Sequence, residues 1–109
     1  MSTIRGRVAE VVADHLNRLS MYVSAGIAVT PEDVEVVYDP AMHAWTAREN
    51  GITVVARQGY CRVQANNGYA RGWASADNTS LETIRKAAED ARQSADGIGR
   101  NASPLTWVR

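Results

Sequence analysis

Three turn signals at near-regular spacing constrain this chain more than anything else in it. Asn50-Gly51 is a two-residue hairpin pair, and Gln58-Gly59 and Asn66-Asn67-Gly68 follow it. Asn and Gly tolerate the positive φ that tight hairpins demand. Between the signals lie the strand-length segments His43–Glu49, Ile52–Arg57, Tyr60–Ala65 and Tyr69–Ala74. Short strands with short connections predict an antiparallel meander of three to five strands. The count falls if some of these glycines are bulges.

Helical patterns flank the meander. Ile4, Val8, Val11, Val12, His15, Leu19 and Tyr22 recur at three- and four-residue spacing and predict an amphipathic helix over Ile4–Tyr22. Near the other end, Thr79 with Glu82 fits a capping box. Leu81, Ile84, Ala88, Ala91 and Ala95 continue as a stripe towards a stop at Gly97. Thr30-Pro31-Glu32-Asp33 reads as a single tight turn feeding a β-branched strand from Val34 to Tyr38, which Asp39-Pro40 ends. The expected fold class is therefore α+β. An N-terminal helix, a meander and a C-terminal helix packed on one sheet face make a single domain over residues 1–97. A tail over 98–109 follows, whose Leu105, Trp107 and Val108 are expected to dock in cis or in trans.

GYARGW, Gly68 to Trp73, poses the functional question. On a strand, Tyr69, Arg71 and Trp73 share one face, and Ala70, Gly72 and then Ala74 share the other. A bare face suits close approach by the alanine-rich last helix and turns the aromatic, cationic face outward. Against this stands volume. The chain has no Phe and few Leu, so Trp73 and Trp45 are the natural sources of core bulk. The neighbouring strands place Arg57 and Arg62 on their more polar faces, where Arg71 would join them.

Composition limits the functions open to the chain. Its 109 residues carry no formal net charge, whereas a dedicated nucleic-acid binder usually shows a basic excess. The charge is uneven: Arg48, Arg57, Arg62 and Arg71 stand against Glu49 alone between residues 40 and 75, while the first third is acidic. Arg outnumbers Lys eleven to one. Guanidinium groups offer planar forks to carboxylates and phosphates, although a GC-rich genome gives the same bias. Cys61 stands alone, so a cysteine-based metal site and an intrachain disulfide are excluded. No signal-peptide pattern or membrane-length apolar run is present, and a cytoplasmic location, in a bacterial or virus-infected cell, is expected.

No catalytic, metal or cofactor signature stands out. His15 and His43 are far apart, Gly97–Gly99 follows a helix rather than a strand, and Glu32, Asp33 and Glu35 read as a solvated acidic turn. The order α-β-β-β-α, with Arg85 and Lys86 early in the last helix, resembles a double-stranded RNA-binding domain. The segment GWASADNTSLETIRKAAEDA, Gly72 to Ala91, resembles the strand-to-helix segment of the N-terminal domain of TldD/PmbA-type peptidases. That family's metal-binding motif is absent here, and no activity is carried over.

The expected function is a small non-enzymatic protein-interaction or assembly subunit: an adaptor, an inhibitor or a viral or phage component. It would use the sheet face and the tail, through Arg48, Arg57, Arg62, Tyr69, Arg71, Trp73 and Trp107, to bind a protein partner or a second copy. The alternative is a nucleic-acid-binding domain in which the same arginines meet phosphates and the aromatics stack.

Overall fold

A computed structural model describes residues 3–66 and 71–101, the side chains of 97–101 excepted. Helix α1 (Ile4–Leu16) and the short α2 (Ser20–Ala25) come first, then a 3-10 turn over Pro31–Asp33. Strands β1 (Val37–Asp39), β2 (Ala44–Glu49), β3 (Ile52–Arg57), β4 (Tyr60–Asn66) and β5 (Arg71–Ala76) follow, and α3 (Leu81–Asn101) comes last. The sheet order is β1-β2-β3-β4-β5, antiparallel throughout. The fold is α+β, with α3 packed on the sheet across β4 and β5 and α1 across β2 and β3.

The hairpin signals act as expected. Asn50 and Gly51 both take positive φ, at 25° and 87°, and Gly59 takes 79°. Residues 67–70, with the rest of the Asn66-Asn67-Gly68 signal and Tyr69, lie outside the described residues.

The helices differ from the expected pattern. The single helix expected over Ile4–Tyr22 is two. Asn17 caps α1, and its side-chain amide exchanges two hydrogen bonds with the backbone of Val29, donating to the carbonyl at 2.8 Å and accepting from the N–H at 2.7 Å. That amide mimics a strand neighbour and pins the returning loop, so the helix stops and restarts at Ser20. Gly26, at φ 70°, ends α2 in the left-handed conformation. At α3 the N-terminal cap is Ser80 rather than Thr79, since the Ser80 hydroxyl accepts from the Thr83 N–H at 3.2 Å. Thr79 is buried and its carbonyl accepts from the Arg7 guanidinium. Gly97 does not stop α3, which runs on to Asn101. The expected turn at Thr30–Asp33 is present as a capping box: the Asp33 carboxylate accepts from the Thr30 backbone and hydroxyl, which hold it below the usual carboxylate range. The strand that follows begins later than Val34, at Val37, while Val34 and Val36 turn into the core.

The core lies between the helices and one sheet face. Val8, Val11, Val12 and Leu16 of α1 and Ile84, Ala88 and Ala91 of α3 meet Ile52, Val54, Cys61 and Val63. Burial pushes the Cys61 thiol pKa up against a smaller opposing pull from the Ala76 backbone, so Cys61 serves here as a small apolar side chain.

Candidate interaction face on the open side of the sheet

Strand pairing assigns every side chain to a face. Directly opposed residues share one, so Trp45, Ala56, Cys61 and Ala76 point towards the helices, as do Ala65 and Gly72. The other face carries Val37, Thr46, Val55, Arg62 and Ser75 in one row across the sheet. Arg48, Thr53, Gln64 and Trp73 form the next row, and Asn66 and Arg71 the one beyond. Among the described residues no helix covers this side.

The described end of GYARGW, Arg71-Gly72-Trp73, thus turns its glycine inward. Gly72 is buried against α3, where a Cβ would stand 2.6 Å from the Ala95 nitrogen and 2.8 Å from the Ser94 Cβ. Trp73 is turned outward and is 51% exposed. Aromatic bulk on the inner face comes from Trp45 instead. Trp45 is half-buried on the helix face, packed edge-on against Tyr38 with ring centroids 5.1 Å apart. The Arg5 guanidinium lies 5.9 Å from its ring centroid.

The open face brings together five of the seven residues singled out from sequence: Arg48, Arg57, Arg62, Arg71 and Trp73. All five are exposed. Tyr69 and Trp107 lie outside the described residues. The Arg62 guanidinium sits 4.8 Å from the Trp73 ring centroid, and Arg57 sits 5.2 Å from that of Tyr60. Arg57 also donates to the Met42 carbonyl at 3.1 Å. These contacts set two guanidinium groups against aromatic rings on the open face. Between Arg48 and the Arg62–Trp73 pair the floor is short and neutral, made of Thr46, Thr53, Val55 and Gln64. It forms a shallow concavity of about 750 Å³. Glu35 and Asp39 stand at its β1 rim beside the exposed Val37 and Met42.

The two sides of the molecule treat their cations differently. On the helix side Arg18 pairs with Asp14 and Glu89, Arg85 with Glu10 at 3.6 Å, Lys86 with Asp90 at 3.7 Å, and Arg92 with Glu89. On the open face none of Arg48, Arg57, Arg62 and Arg71 makes an ion pair among the described residues. A formally neutral chain therefore gathers on one face four arginines that make no ion pair among the described residues; counting along the sequence shows the arginine excess between residues 40 and 75, but not the Arg85–Glu10 and Arg18–Glu89 pairs, which join distant residues.

The remaining titratable groups were visible as types but not as environments. His15 is 3% exposed, and neither ring nitrogen has a hydrogen-bond partner among the described residues. Burial, then the Arg92 charge, lowers its pKa to about 4. The Asn50 backbone and Asp14 pull the other way, but Asn50 does not reach it in hydrogen-bonding geometry. Among the described residues no group of three or more His, Cys, Asp or Glu side chains gathers to hold a metal ion, and no helix is long and apolar enough to cross a membrane. No family model matches this chain, and no curated protein or solved structure matches it.

Proposed function

We propose that this chain is a non-enzymatic interaction module that binds a partner protein through the open face of its sheet. The observation that carries the reading is the contrast in charge pairing: among the described residues, four exposed arginines make no ion pair on the open face, while Arg18, Arg85, Lys86 and Arg92 are ion-paired on the helix side. Arginine and tryptophan beside exposed apolar side chains, here Val37 and Met42, match the composition of energetic centres in protein interfaces. The test is a photo-crosslinking amino acid placed at Thr53, in the floor, and separately at Glu82, on the helix side. Expressed in its native host, the Thr53 protein is expected to give a discrete protein adduct and the Glu82 protein none. The double charge reversal Arg57→Glu/Arg62→Glu should lower the Thr53 adduct yield by about tenfold or more, because reversed charges both remove attraction and add repulsion. Equal adducts from both positions, or a yield untouched by the reversal, would sink the reading.

A second reading is supported by the same four arginines: exposed guanidinium groups also suit the phosphates of single-stranded nucleic acid, here on Arg48, Arg57, Arg62 and Arg71. It is distinguished by purifying the protein at low salt and reading absorbance at 260 and 280 nm across a size-exclusion peak. Nucleic acid that co-elutes and is stripped at high salt would favour it.

A further inference from the structure

Resting on the interaction reading above, the geometry points to a particular kind of partner: an extended, carboxylate-rich protein segment lying along β3 in the shallow trough of the open face. The trough has a cationic wall on each side. Arg48 stands on β2, and Arg62 and Arg71 stand on β4 and β5. With neighbouring strands about 4.8 Å apart, the β2 and β4 walls stand roughly 10 Å apart, the width of one extended chain with side chains to both sides, and Arg48 and Arg62 are staggered by two residues along it. Side chains of such a chain alternate, so carboxylates at successive positions can reach both walls and accept two parallel hydrogen bonds from each fork. The floor of Thr46, Thr53, Val55 and Gln64 raises no bulk against it. Beyond Val55, the exposed Val37 and Met42 offer an apolar landing for one flanking side chain.

The same geometry disfavours the other occupants. A strand of nucleic acid needs free aromatic faces, but Arg62 already stacks on Trp73 and Arg57 on Tyr60. A second copy placed face to face would set arginine against arginine across most of the contact.

Fluorescence anisotropy with the intact protein tests this, using a labelled ten-residue polyglutamate and a labelled twelve-residue oligothymidylate at equal, low salt. Polyglutamate is expected to bind more tightly than the oligonucleotide. Arg48→Gln/Arg62→Gln should weaken it by about tenfold or more, as expected for loss of charge-assisted contacts, while Lys86→Gln on the helix side should not change it. Circular dichroism of each variant confirms that the fold is intact. Tighter binding of the oligonucleotide, failure to bind polyglutamate, or equal affinity in the double variant would overturn the proposal. A doubled mass in light scattering that Arg48→Gln/Arg62→Gln abolishes would also overturn it and assign the face to a second copy. A discrete Thr53 crosslink together with no polyglutamate binding would leave the interaction face standing and reject only the acidic segment.

Discussion

Gly72→Val is expected to destabilise the protein by at least about 3 kcal/mol, the upper end of what overpacking usually costs. A Cβ at this position meets backbone rather than pliable side chains: the Ala91 carbonyl oxygen and the Ala95 nitrogen of α3, with the Ser94 Cβ close behind. Side chains can change rotamer, but helix backbone can yield only if α3 lifts from β5. Lifting it exposes Ala88, Ala91 and Ala95, each now 2% exposed or less. A net stability of about 5–15 kcal/mol is usual for a domain of this kind, so the loss is a large share of the whole. For a chain of this length it corresponds to a melting temperature lower by roughly 12 °C or more. Urea unfolding of the wild type, Gly72→Ala and Gly72→Val measures it, and the order of stability should follow side-chain size. An unchanged midpoint in Gly72→Val would show that α3 does not rest on β5 as described.

The second large effect is an acid-side loss of stability through His15. Its pKa is lowered in the folded state, from about 6.5 to about 4, first by burial and then by Arg92. The unfolded chain therefore binds a proton between these pH values that the folded chain refuses. Stability is fully present above pH 6.5, falls as the pH drops, and levels off near pH 4, a total of about 3 kcal/mol for this one group. The neighbours offer little relief. Arg92 of α3 and Arg18, just past the end of α1, add positive charge, Asp14 already pairs with Arg18, and the Asn50 backbone makes no hydrogen bond to the ring. His15→Leu should flatten the profile between pH 7 and pH 5. At pH 7 it should be no less stable than wild type, because it removes polar atoms that lack partners. A slope unchanged in His15→Leu would show that another group sets the acid limit.

The parts of the fold that could be read from sequence are those decided by neighbours in the chain. Asn50-Gly51 and Gln58-Gly59 mark their hairpins because positive φ is a local demand, and Ile52–Arg57 has the bounds that those turns imply. What depends on distant residues was not legible. The break after α1 comes from Asn17 meeting Val29 across twelve residues. The orientation of β5 comes from the fit of Gly72 against α3, a contact between elements that alternation alone leaves undecided. Core volume is supplied mainly by valines, isoleucines and alanines meeting across the two layers, which frees Trp73 for the surface. Similarly, Arg48, Arg57, Arg62 and Arg71 could be placed on polar strand faces one at a time. That none of them makes an ion pair among the described residues emerges only in the fold, where Glu10, Asp14 and Glu89 pair with cations on the other side.

The unequal pairing of charge makes this neutral molecule an electric dipole, with its positive pole on the bare sheet. Net charge governs drift in a uniform field, but a charged surface a few ångströms away responds to the nearer pole. At pH 7, where the formal charge is zero, the protein should therefore be retained on a sulfonate resin and released by modest salt, and Arg48→Gln/Arg62→Gln should pass through sooner. A partner approaching through solution would feel the same field and be turned towards the open face before any contact forms. Orientation, and with it the rate of encounter, is built into a chain whose charges sum to nothing.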